Sequence, residues 1–334
     1  MDSLTQIVLG AAVGEIVGGK RLGNKAPLWG AVAGTIPDLD ILFAPHGAIA
    51  YHIQHRGFSH SILFAILMAP LLGAIFSWLY RKRHRDFKLW TSLFFWGIFT
   101  HPLLDAFTTW GTSLFLPFSR YRVAFKTIFV IDPIYTVPFL ICIAVLLFFK
   151  RQDPRRRRWA WAGVSISSAY LALTVFLKIQ ANRITTKALR EQGITYTSYM
   201  TTLTPLNSLL WAGVAKTEKG YYTGYFSLLD REKKINFHFR PNGLDKLPKS
   251  LLENQSFREL PFITEGFYTV TESGDEWQVQ DLRFGQLNGW EDPNSPYVMT
   301  MDILKKDGSY IFERGSNSIE NPKERLLALF DRIF

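Results

Sequence analysis

The sequence contains almost no cysteine. Its single cysteine, Cys142, has no second cysteine with which to form an internal disulfide, and it lies within an apolar run. Such a residue usually behaves as a small packed or membrane-facing side chain. Cysteine content therefore gives no information about the redox compartment in which the protein works.

Signatures of several common enzyme classes are missing as well. The chain has no Walker phosphate-binding loop, no dinucleotide-binding glycine fingerprint and no serine nucleophile elbow. It has no internal repeat and no low-complexity tract. The first apolar stretch, residues 4–17, lacks the basic start and small-residue cleavage site of a signal peptide, so we expect it to stay in the mature protein.

The sequence does contain a strong internal division. Residues 1 to about 180 are rich in Leu, Ile, Phe, Ala and Trp, whereas the residues after about 185 have the composition of a soluble domain. A chain of 334 residues is long enough for two domains. We therefore predict a membrane domain at 1–182 and a soluble α+β domain at 183–334.

Positive charge is concentrated beside the apolar segments. The formal net charge is +10, and basic runs lie at 81–85, 150–151 and 155–158. These runs follow long apolar segments, as juxtamembrane anchors do under the positive-inside rule. A nucleic-acid site would instead place such residues on a polar domain with interleaved aromatic residues. We therefore expect membrane lipids as partners and no direct contact with nucleic acid.

Hydrophobic patterning predicts an α-helical transmembrane bundle with four long spans and two short N-terminal helices. A perpendicular helix needs roughly 20 apolar residues to cross a bilayer, and the short helices at 4–17 and 26–36 fall below that length. The long spans are predicted at 61–80, 89–107, 127–149 and 159–179. Glycines recur every four positions in the short helices, which permits close helix packing: Gly10, Gly14, Gly18, Gly30 and Gly34.

Asp and His are clustered at the ends of three apolar segments, at 37–40, 55–60 and 101–105. Ionisable residues at a membrane edge are costly to place and usually have a partner or a function. The i, i+4 spacing of His101 and Asp105 puts both on one helix face. The predicted metal ligands are Asp38, Asp40, His55, His60, His101 and Asp105, where Asp38 and Asp40 either bridge two ions or provide the general base.

The charge bias also predicts a topology for these clusters. If the basic loops at 20–25, 81–88 and 150–158 are cytoplasmic, six crossings place the N-terminus and the C-terminal domain outside. The same count places all three polar clusters on the outer face. A single site built from all three is therefore geometrically possible.

The residue types in the clusters indicate a divalent transition metal. Mixed imidazole and carboxylate ligands suit zinc, manganese or iron better than magnesium, which prefers oxygen ligands. Three carboxylates in one low-dielectric site would raise one another's pKa unless cations balance them. We therefore expect one or two divalent ions, zinc first among them, that activate water near neutral pH.

Other polar residues have weaker claims to the site. Asp132 is equally consistent with an N-cap of the following span and with a position at or beside the metal. Glu15 is expected to pair with Lys20 or Arg21, or to hold helices together. Three arginines are predicted as interfacial anchors, with phosphate binding as the alternative: Arg56, Arg120 and Arg122. Two loop histidines are weaker candidates: His46 and His52.

The C-terminal half shows strand periodicity and turn signals. Residues 220–229 and 234–239 alternate apolar and polar side chains, as half-buried strands do. A closing helix is predicted at 322–333, with Asn321 as its N-cap. Two hairpins are predicted, one turning at 273–275 between 267–271 and 277–282, the other turning at 306–308 between 297–304 and 310–314.

The polar motifs together resemble the YdjM/YbcI-like family of bacterial membrane-bound, predicted metal-dependent hydrolases. The resemblance covers about the first 140 residues and is carried by 1–6, 37–40, 55–61, 101–105 and 131–133. It implies a multi-pass protein of the bacterial inner membrane with metal-dependent hydrolase activity, and active-site residues at Asp38, Asp40, His55, His60, His101 and Asp105. This chain has Thr5-Gln6 where many members have Thr-His, which implies one ligand fewer or a substitution by Asp2.

Two functions of different class are compatible with these residues. The first is a membrane-embedded metal-dependent hydrolase, in which activated water attacks an ester or phosphoester of a lipid or lipid-linked substrate. The second is a non-catalytic, metal-stabilised membrane regulator in a stress response. Transport is a weaker third, because transporter sites lie near the bilayer midplane and these clusters are predicted at one face.

Overall fold

The computed structural model describes residues 1–43, 47–82, 84–151, 153–273, 276–306, 308–315 and 322–334. The chain forms two compact units. The first comprises Met1–Ala44 and Gln54–Thr174, and the second comprises Pro45–Ile53 and Val175–Phe334. The second unit thus includes a short segment from the apolar half of the chain, which composition did not predict.

The apolar half of the chain is helical. In chain order the helices are α1 (Ser3–Leu22), α2 (Lys25–Thr35), α3 (Ala48–Gln54), α4 (Ile62–Leu79), α5 (Phe87–Asp105), α6 (Pro133–Leu147) and α7 (Pro154–Glu191). Two short 3-10 helices lie between them, at Pro37–Phe43 and Phe58–His60. Side-chain caps begin four of the helices by accepting first-turn N–H groups, which otherwise have no helical partner: Asp2, Ser61, Asp86 and Asp132.

The glycine stripes of α1 and α2 pack against each other, as their spacing predicts. A Cβ atom added at Gly14 would lie 2.1 Å from the carbonyl oxygen of Ala26, and one at Gly30 would lie 2.2 Å from that of Gly10. These neighbours are backbone atoms, so they cannot move aside as a flexible side chain can. Glycine is therefore required for the close approach of α1 and α2, and this approach fixes the C-terminal end of α2 within the first unit.

The number of long spans predicted from the sequence is wrong. Within the described ranges, two helices are long and apolar enough to cross a membrane, Ile62–Leu79 and Pro154–Glu191. The predicted span at 127–149 contains a helix only from Pro133 to Leu147, because Asp132 caps the helix there and residues 127–132 form a loop. The predicted topology and the side of each loop stay predictions.

Apolar side chains from neighbouring helices fill the interior of the first unit. One cluster centres on Trp90 and Phe94 of α5, which are almost completely buried against small residues of α2 and α4. A second centres on Phe139 of α6 and packs against Ala12 of α1 and Ala160 of α7. In a membrane, where lipid is as apolar as these side chains, van der Waals contacts within the clusters hold together the helices that carry the polar residues.

Two buried polar residues settle alternatives that the sequence left open. Glu15 does not pair with Lys20 or Arg21; its carboxylate accepts two hydrogen bonds from Arg156, at 3.0 and 2.8 Å, and so ties α1 to α7. Asp132 acts as the N-cap of α6 and also accepts a 2.9 Å hydrogen bond from the hydroxyl of Tyr170. Cys142 is buried, in agreement with the packed alternative.

The second unit contains two four-stranded antiparallel sheets, each with its strands in sequence order. The first sheet is β1 (Ser198–Leu203), β2 (Leu210–Lys216), β3 (Gly220–Ser227) and β4 (His238–Pro241). The second is β5 (Tyr268–Ser273), β6 (Glu276–Asp281), β7 (Thr300–Lys306) and β8 (Ser309–Arg314). Among the described residues after β4, the unit also contains the helices α8 (Lys249–Leu252), α9 (Gln255–Arg258), α10 (Leu260–Ile263) and α11 (Pro322–Ile333).

Strand predictions in this half are confirmed where alternation was clear. The pairs β5–β6 and β7–β8 are antiparallel as predicted, with Val270 opposite Val279 and Ile303 opposite Phe312. The prediction at 234–239 is wrong before His238, where the fourth strand begins, and β1 and β2 were not predicted. Some predicted turn and cap residues lie outside the described residues, and so does one loop histidine: Gly274, Asp275, Asp307, Asn321 and His46.

Candidate metal centre

Four of the six predicted ligands converge on one point in the first unit. Asp38 comes from the 3-10 helix after α2, His60 from the 3-10 helix before α4, and His101 and Asp105 from the last turns of α5. One ligand atom from each lies within 4.8 Å of all the others. The i, i+4 spacing on α5 accounts for the pair His101 and Asp105, whereas the other two are brought in by the packing of the helices.

The separations between these atoms are short and nearly equal. The Nε2 atoms of His60 and His101 are 3.2 Å apart. Asp38 Oδ1 lies 3.3 Å from the first and 3.4 Å from the second. Asp105 Oδ2 lies 3.5 Å from both. These five separations are 3.2–3.5 Å, and the sixth, between the oxygens of Asp38 and Asp105, is within 4.8 Å, so two nitrogen and two oxygen atoms surround a common point.

A hydrogen bond to the backbone determines the tautomer of His101. Its Nδ1 atom lies 2.5 Å from the carbonyl oxygen of Gly34, at the C-terminal end of α2. A carbonyl oxygen only accepts hydrogen bonds, so Nδ1 must carry the proton and donate it. In the neutral imidazole, Nε2 then presents its lone pair toward Asp38 and Asp105. This is the arrangement in which histidine binds a metal ion.

His60 is oriented in the same way by side chains. Its Nδ1 atom is 3.0 Å from Ser59 Oγ and 3.5 Å from Asp40 Oδ2. Ser59 Oγ–H donates to Asp40 Oδ2 at 3.0 Å, so the serine oxygen accepts from His60 Nδ1–H. In the neutral form, Nε2 of His60 therefore also presents a lone pair toward Nε2 of His101, and a metal ion bound between the two nitrogens would satisfy both lone pairs.

Asp105 directs one carboxylate oxygen toward the ligand atoms and holds the other in place. Oδ1 accepts a 3.0 Å hydrogen bond from Gln6 Nε2 and a hydrogen bond from the amino group of Met1. Oδ2 is buried and forms no hydrogen bond within the described residues, although Arg56 Nε lies 3.1 Å away. A buried carboxylate oxygen needs a positive partner, and the guanidinium of Arg56 is one that the structure already supplies.

The ligand set fits a divalent transition metal. Two nitrogen and two oxygen atoms this close together can surround one ion, and zinc binds histidine nitrogen and carboxylate oxygen at about 2.0–2.2 Å. His60, His101 and Asp105 are buried, whereas the side chain of Asp38 is 25% exposed. The cluster could therefore hold a metal ion and be approached from the side of Asp38.

Asp40 and His55 lie beside this cluster and contact each other. His55 Nδ1 is 2.9 Å from Asp40 Oδ1, and the backbone N–H of Arg56 donates to Asp40 Oδ2 at 3.0 Å. Neither side chain belongs to the group of four ligand atoms within the described residues. Their direct binding to metal stays a prediction, and the structure places them as a hydrogen-bonded Asp–His pair next to the ligand His60.

Hydrogen bonds keep the carboxylates of the 3-10 helix ionised. Burial alone would raise the pKa of Asp38, but its contacts with the imidazoles of His101 and His60 hold it well below its usual range. Burial also acts to raise the pKa of Asp40, but its hydrogen bond with His55 lowers this pKa below the ordinary value. Both carboxylates are therefore negatively charged at neutral pH, as metal ligands and their supporting groups must be.

The position of Arg56 differs strongly from the one that we predicted from the sequence. It was considered as an anchor or phosphate ligand, yet it is almost completely buried and donates from Nη1 to Thr108 Oγ1 at 2.8 Å. Its backbone adopts φ +60, which is strained for a non-glycine residue and is typical of functional sites. Arg122 donates to the carbonyl oxygen of His55 at 3.2 Å, so it supports the same loop.

Gln6 stands where many family members have histidine, and Asp2 was considered as a substitute ligand. The structure gives these two residues separate roles. Gln6 is buried and donates to Asp105 and to the backbone carbonyl of His101, so it orients two of the four clustered residues. Asp2 accepts from the N–H and the hydroxyl of Thr5 and caps α1. Asp2 is not one of the four clustered side chains.

Comparison with known proteins identifies the family. The family model described as YdjM inner membrane protein matches residues 1–181. A relative from Bacillus subtilis (strain 168), the uncharacterized protein YfhP, is 32% identical over 187 residues, which is 53% of this chain and 51% of the relative. The matched region therefore spans about half the length of that relative, and no solved structure matches the chain. Because the family model covers more than half of the sequence, including every residue of the four-ligand cluster, the chain belongs to the YdjM inner membrane protein family.

Proposed function

We propose that the chain is a membrane-bound metal-dependent hydrolase that cleaves an ester or phosphoester of a lipid or lipid-linked substrate. The observation that carries the proposal is the cluster of two histidines and two aspartates with an Asp–His pair beside it. Asp38, His60, His101 and Asp105 would hold the ion. Their mixed imidazole and carboxylate character favours zinc, with manganese or iron as alternatives.

A divalent ion at this position supplies Lewis-acid chemistry, which lowers the pKa of water and polarises an ester or phosphoryl oxygen. The protein supplies the rest. The buried ligands exclude bulk water on three sides, and the partly exposed Asp38 marks the side from which a substrate approaches. A membrane protein presents such a site naturally to lipid head groups.

Asp40 and His55 are assigned to proton transfer. The carboxylate of Asp40 fixes Nδ1 of His55 at 2.9 Å and stabilises the protonated imidazole. His55 would accept a proton from the attacking water and return it to the leaving group. Asp40 also contacts Ser59, which orients His60, so the same carboxylate couples proton transfer to the metal ligands.

Arg56 is assigned to charge stabilisation. Its guanidinium lies beside Asp105 Oδ2 and is held by Thr108. Negative charge builds up on ester and phosphoryl oxygens in the transition state, and a fixed, poorly solvated cation stabilises it more than a mobile one does. A planar guanidinium also matches the geometry of a phosphate group.

The test is to purify the full chain in detergent, measure bound metals by elemental mass spectrometry, and screen nitrophenyl phosphodiesters, carboxyl esters and phospholipids. We expect stoichiometric divalent metal and hydrolysis of at least one class. His101→Ala should lose both. His238→Ala is the matched control, because His238 lies on β4 in the second unit.

Three results would count against the proposal in different ways. Wild-type protein without metal contradicts the metal centre itself. Metal without hydrolysis of any class contradicts catalysis and supports the non-catalytic regulator. Equal loss of metal in His101→Ala and His238→Ala contradicts the assignment of the site.

A further inference from the structure

A second polar pocket, separate from the metal cluster, lies in the first unit where basic helix ends meet. It has a volume of about 890 Å³ and is lined by the last turns of α1, the first turns of α5 and α7, and the residues just before α7. None of the four clustered ligands contributes to its wall. Part of the wall is apolar, from Ile16, Val17 and Leu89.

The charged part of the wall is mixed in sign. Three carboxylates line it: Glu15, Asp86 and Asp153. Five basic side chains line it: Lys20, Arg21, Lys88, Arg151 and Arg157. Whether the pocket attracts an anion therefore depends on whether the carboxylates already have partners.

Glu15 and Asp153 are neutralised by arginines that do not line the pocket. Glu15 accepts two hydrogen bonds from the buried Arg156. Asp153 accepts from Arg155 through the backbone N–H, Nε and Nη2, at 2.7–3.1 Å. Neither carboxylate therefore compensates a positive charge on the pocket wall.

Asp86 is also engaged. It is the N-cap of α5, accepts the N–H of Leu89 at 3.0 Å, and forms an ion pair with Arg21. This leaves four cations on the wall. Within the part of the chain that the structure describes, no carboxylate lies within ion-pair distance of Lys20, Lys88, Arg151 or Arg157.

One of the four cations, Arg151, packs its aliphatic stem on the turn that follows α1. The stem of Arg151 lies over Gly23, where an added Cβ atom would be 2.7 Å from Arg151 Cδ. Gly23 has φ +60, so glycine is suited to this turn for its conformation as well as for space. The stem of Arg151 thus contacts the turn at Gly23, and its side chain is otherwise exposed at the pocket.

We propose that this pocket binds the headgroup phosphate of an anionic phospholipid. The four uncompensated cations match a phosphate, and the apolar wall matches the adjoining glycerol and acyl carbons. The candidate span Pro154–Glu191 begins at the pocket, which puts the pocket where lipid headgroups lie. Basic pockets between helices at a membrane interface bind anionic lipid headgroups in this way.

The experiment uses the full chain in neutral detergent, titrated with phosphatidylglycerol or phosphatidylcholine of identical acyl chains and observed by native mass spectrometry. We expect preferential binding of phosphatidylglycerol. Arg151→Gln and Arg157→Gln should each weaken it about fivefold, the factor that corresponds to one cation near a membrane surface. Arg158→Gln is the matched control, because Arg158 neighbours Arg157 on α7 but does not line the pocket.

Each alternative result overturns the proposal. Equal weakening by Arg157→Gln and Arg158→Gln would show general charge attraction instead of a site. Equal binding of both lipids would remove the anionic preference. Displacement of phosphatidylglycerol by millimolar inorganic phosphate would identify a free-phosphate site. Lys88→Gln tests the same pocket from a different helix and should also weaken phosphatidylglycerol binding. An unchanged midpoint of thermal unfolding shows that each variant is folded.

Discussion

The Nε2 atoms of His60 and His101 lie 3.2 Å apart, and the Nδ1 atom of each ring contacts a fixed partner, Ser59 for His60 and the Gly34 carbonyl for His101. Two acceptor nitrogens at that separation repel each other unless a cation lies between them. Asp38 and Asp105 direct carboxylate oxygens to the same point. A single ion held there would account for the positions of all four side chains.

Single substitutions at Asp38 and at Asp40 should distinguish the predicted metal ligand from the residue that supports the ligands. Asp38→Asn removes a charged ligand atom and should weaken metal binding by at least about 100-fold, whereas Asp40→Asn should weaken it by about 10- to 100-fold, as changes beside metal ligands do. Competition with a calibrated chelator measures both affinities. Asp245→Asn, in the second unit, is the control and should change neither.

The same pair also tests proton transfer. At saturating metal, Asp40→Asn should still lower the hydrolysis rate by about 10²- to 10⁴-fold, because His55 loses the carboxylate that orients it. Full recovery of the rate on addition of metal would show that Asp40 acts only through the ligands.

Close packing of α1 on α2 predicts a strong effect of a single methyl group. Gly30→Ala places Cβ against the backbone of Gly10 and Gly14 and should lower the free energy of unfolding by about 1–3 kcal/mol. Metal affinity should fall too, since α2 carries the Gly34 carbonyl that orients His101. Thermal unfolding in detergent and chelator competition measure the two effects.

Gly18→Ala is the matched control for that change. No backbone atom is among the three atoms nearest to its added methyl group, which are Leu22 Cδ1 at 3.1 Å, Ala26 Cβ at 3.3 Å and Leu93 Cδ1 at 3.4 Å, and alanine favours helix. We expect a neutral or slightly stabilising effect. Similar destabilisation by both substitutions would contradict the role of the backbone contact.

The buried pair of Glu15 and Arg156 predicts a non-additive double mutant. Arg156→Met leaves a buried carboxylate without its partner and should cost about 3–5 kcal/mol of the free energy of unfolding. Adding Glu15→Leu should recover part of that loss, because no buried charge then remains unpaired. Denaturant unfolding of the two single variants and the double variant tests this, and simple addition of the two losses would refute it.

Asp230 and Arg332 predict a specific pH dependence in the second unit. Burial raises the pKa of Asp230, but two hydrogen bonds from Arg332, at 2.8 and 3.0 Å, and the N–H of Ser227 lower it by more. The folded pKa thus lies below the unfolded value of about 4, so the stabilisation is complete above that pH and is lost as pH falls through the folded pKa.

Asp230→Asn removes this titration. Between about pH 5 and pH 3, the wild-type unfolding midpoint should fall more steeply than that of Asp230→Asn. Circular dichroism of thermal unfolding across that range measures both curves. Parallel curves would show that the contact of α11 with Asp230 does not contribute to stability.

The sequence predicted the residue types of the site better than their grouping. His101 and Asp105 share a helix face at a fixed spacing, so their proximity was predictable. His60 lies 41 residues before His101 along the chain, and no local rule predicts that the two rings meet. The separation of Asp40 and His55 from the other four depends on the path of the loop that contains Arg56, which the sequence does not reveal.

The lengths of the helices were also difficult to predict from the sequence. The apolar run at 127–149 has the length of a span, yet Asp132 caps a helix that extends only to Leu147. Runs of hydrophobic residues do not distinguish helix from buried loop. The strands β1 and β2 were missed for a related reason: β2 is buried on both faces for most of its length, so its side chains do not alternate.

The division into an apolar and a mixed half, the glycine stripes of α1 and α2, and the Asp and His motifs were predictable from the residues, because they depend on composition and on periods of two to four residues. The pairing of Arg156 with Glu15, the hydrogen bond of His101 with the Gly34 carbonyl, and the approach of four ligand atoms to within 4.8 Å of one another were not predictable. Each of these contacts joins residues far apart in the chain, and only the packing of whole helices brings them within bonding distance.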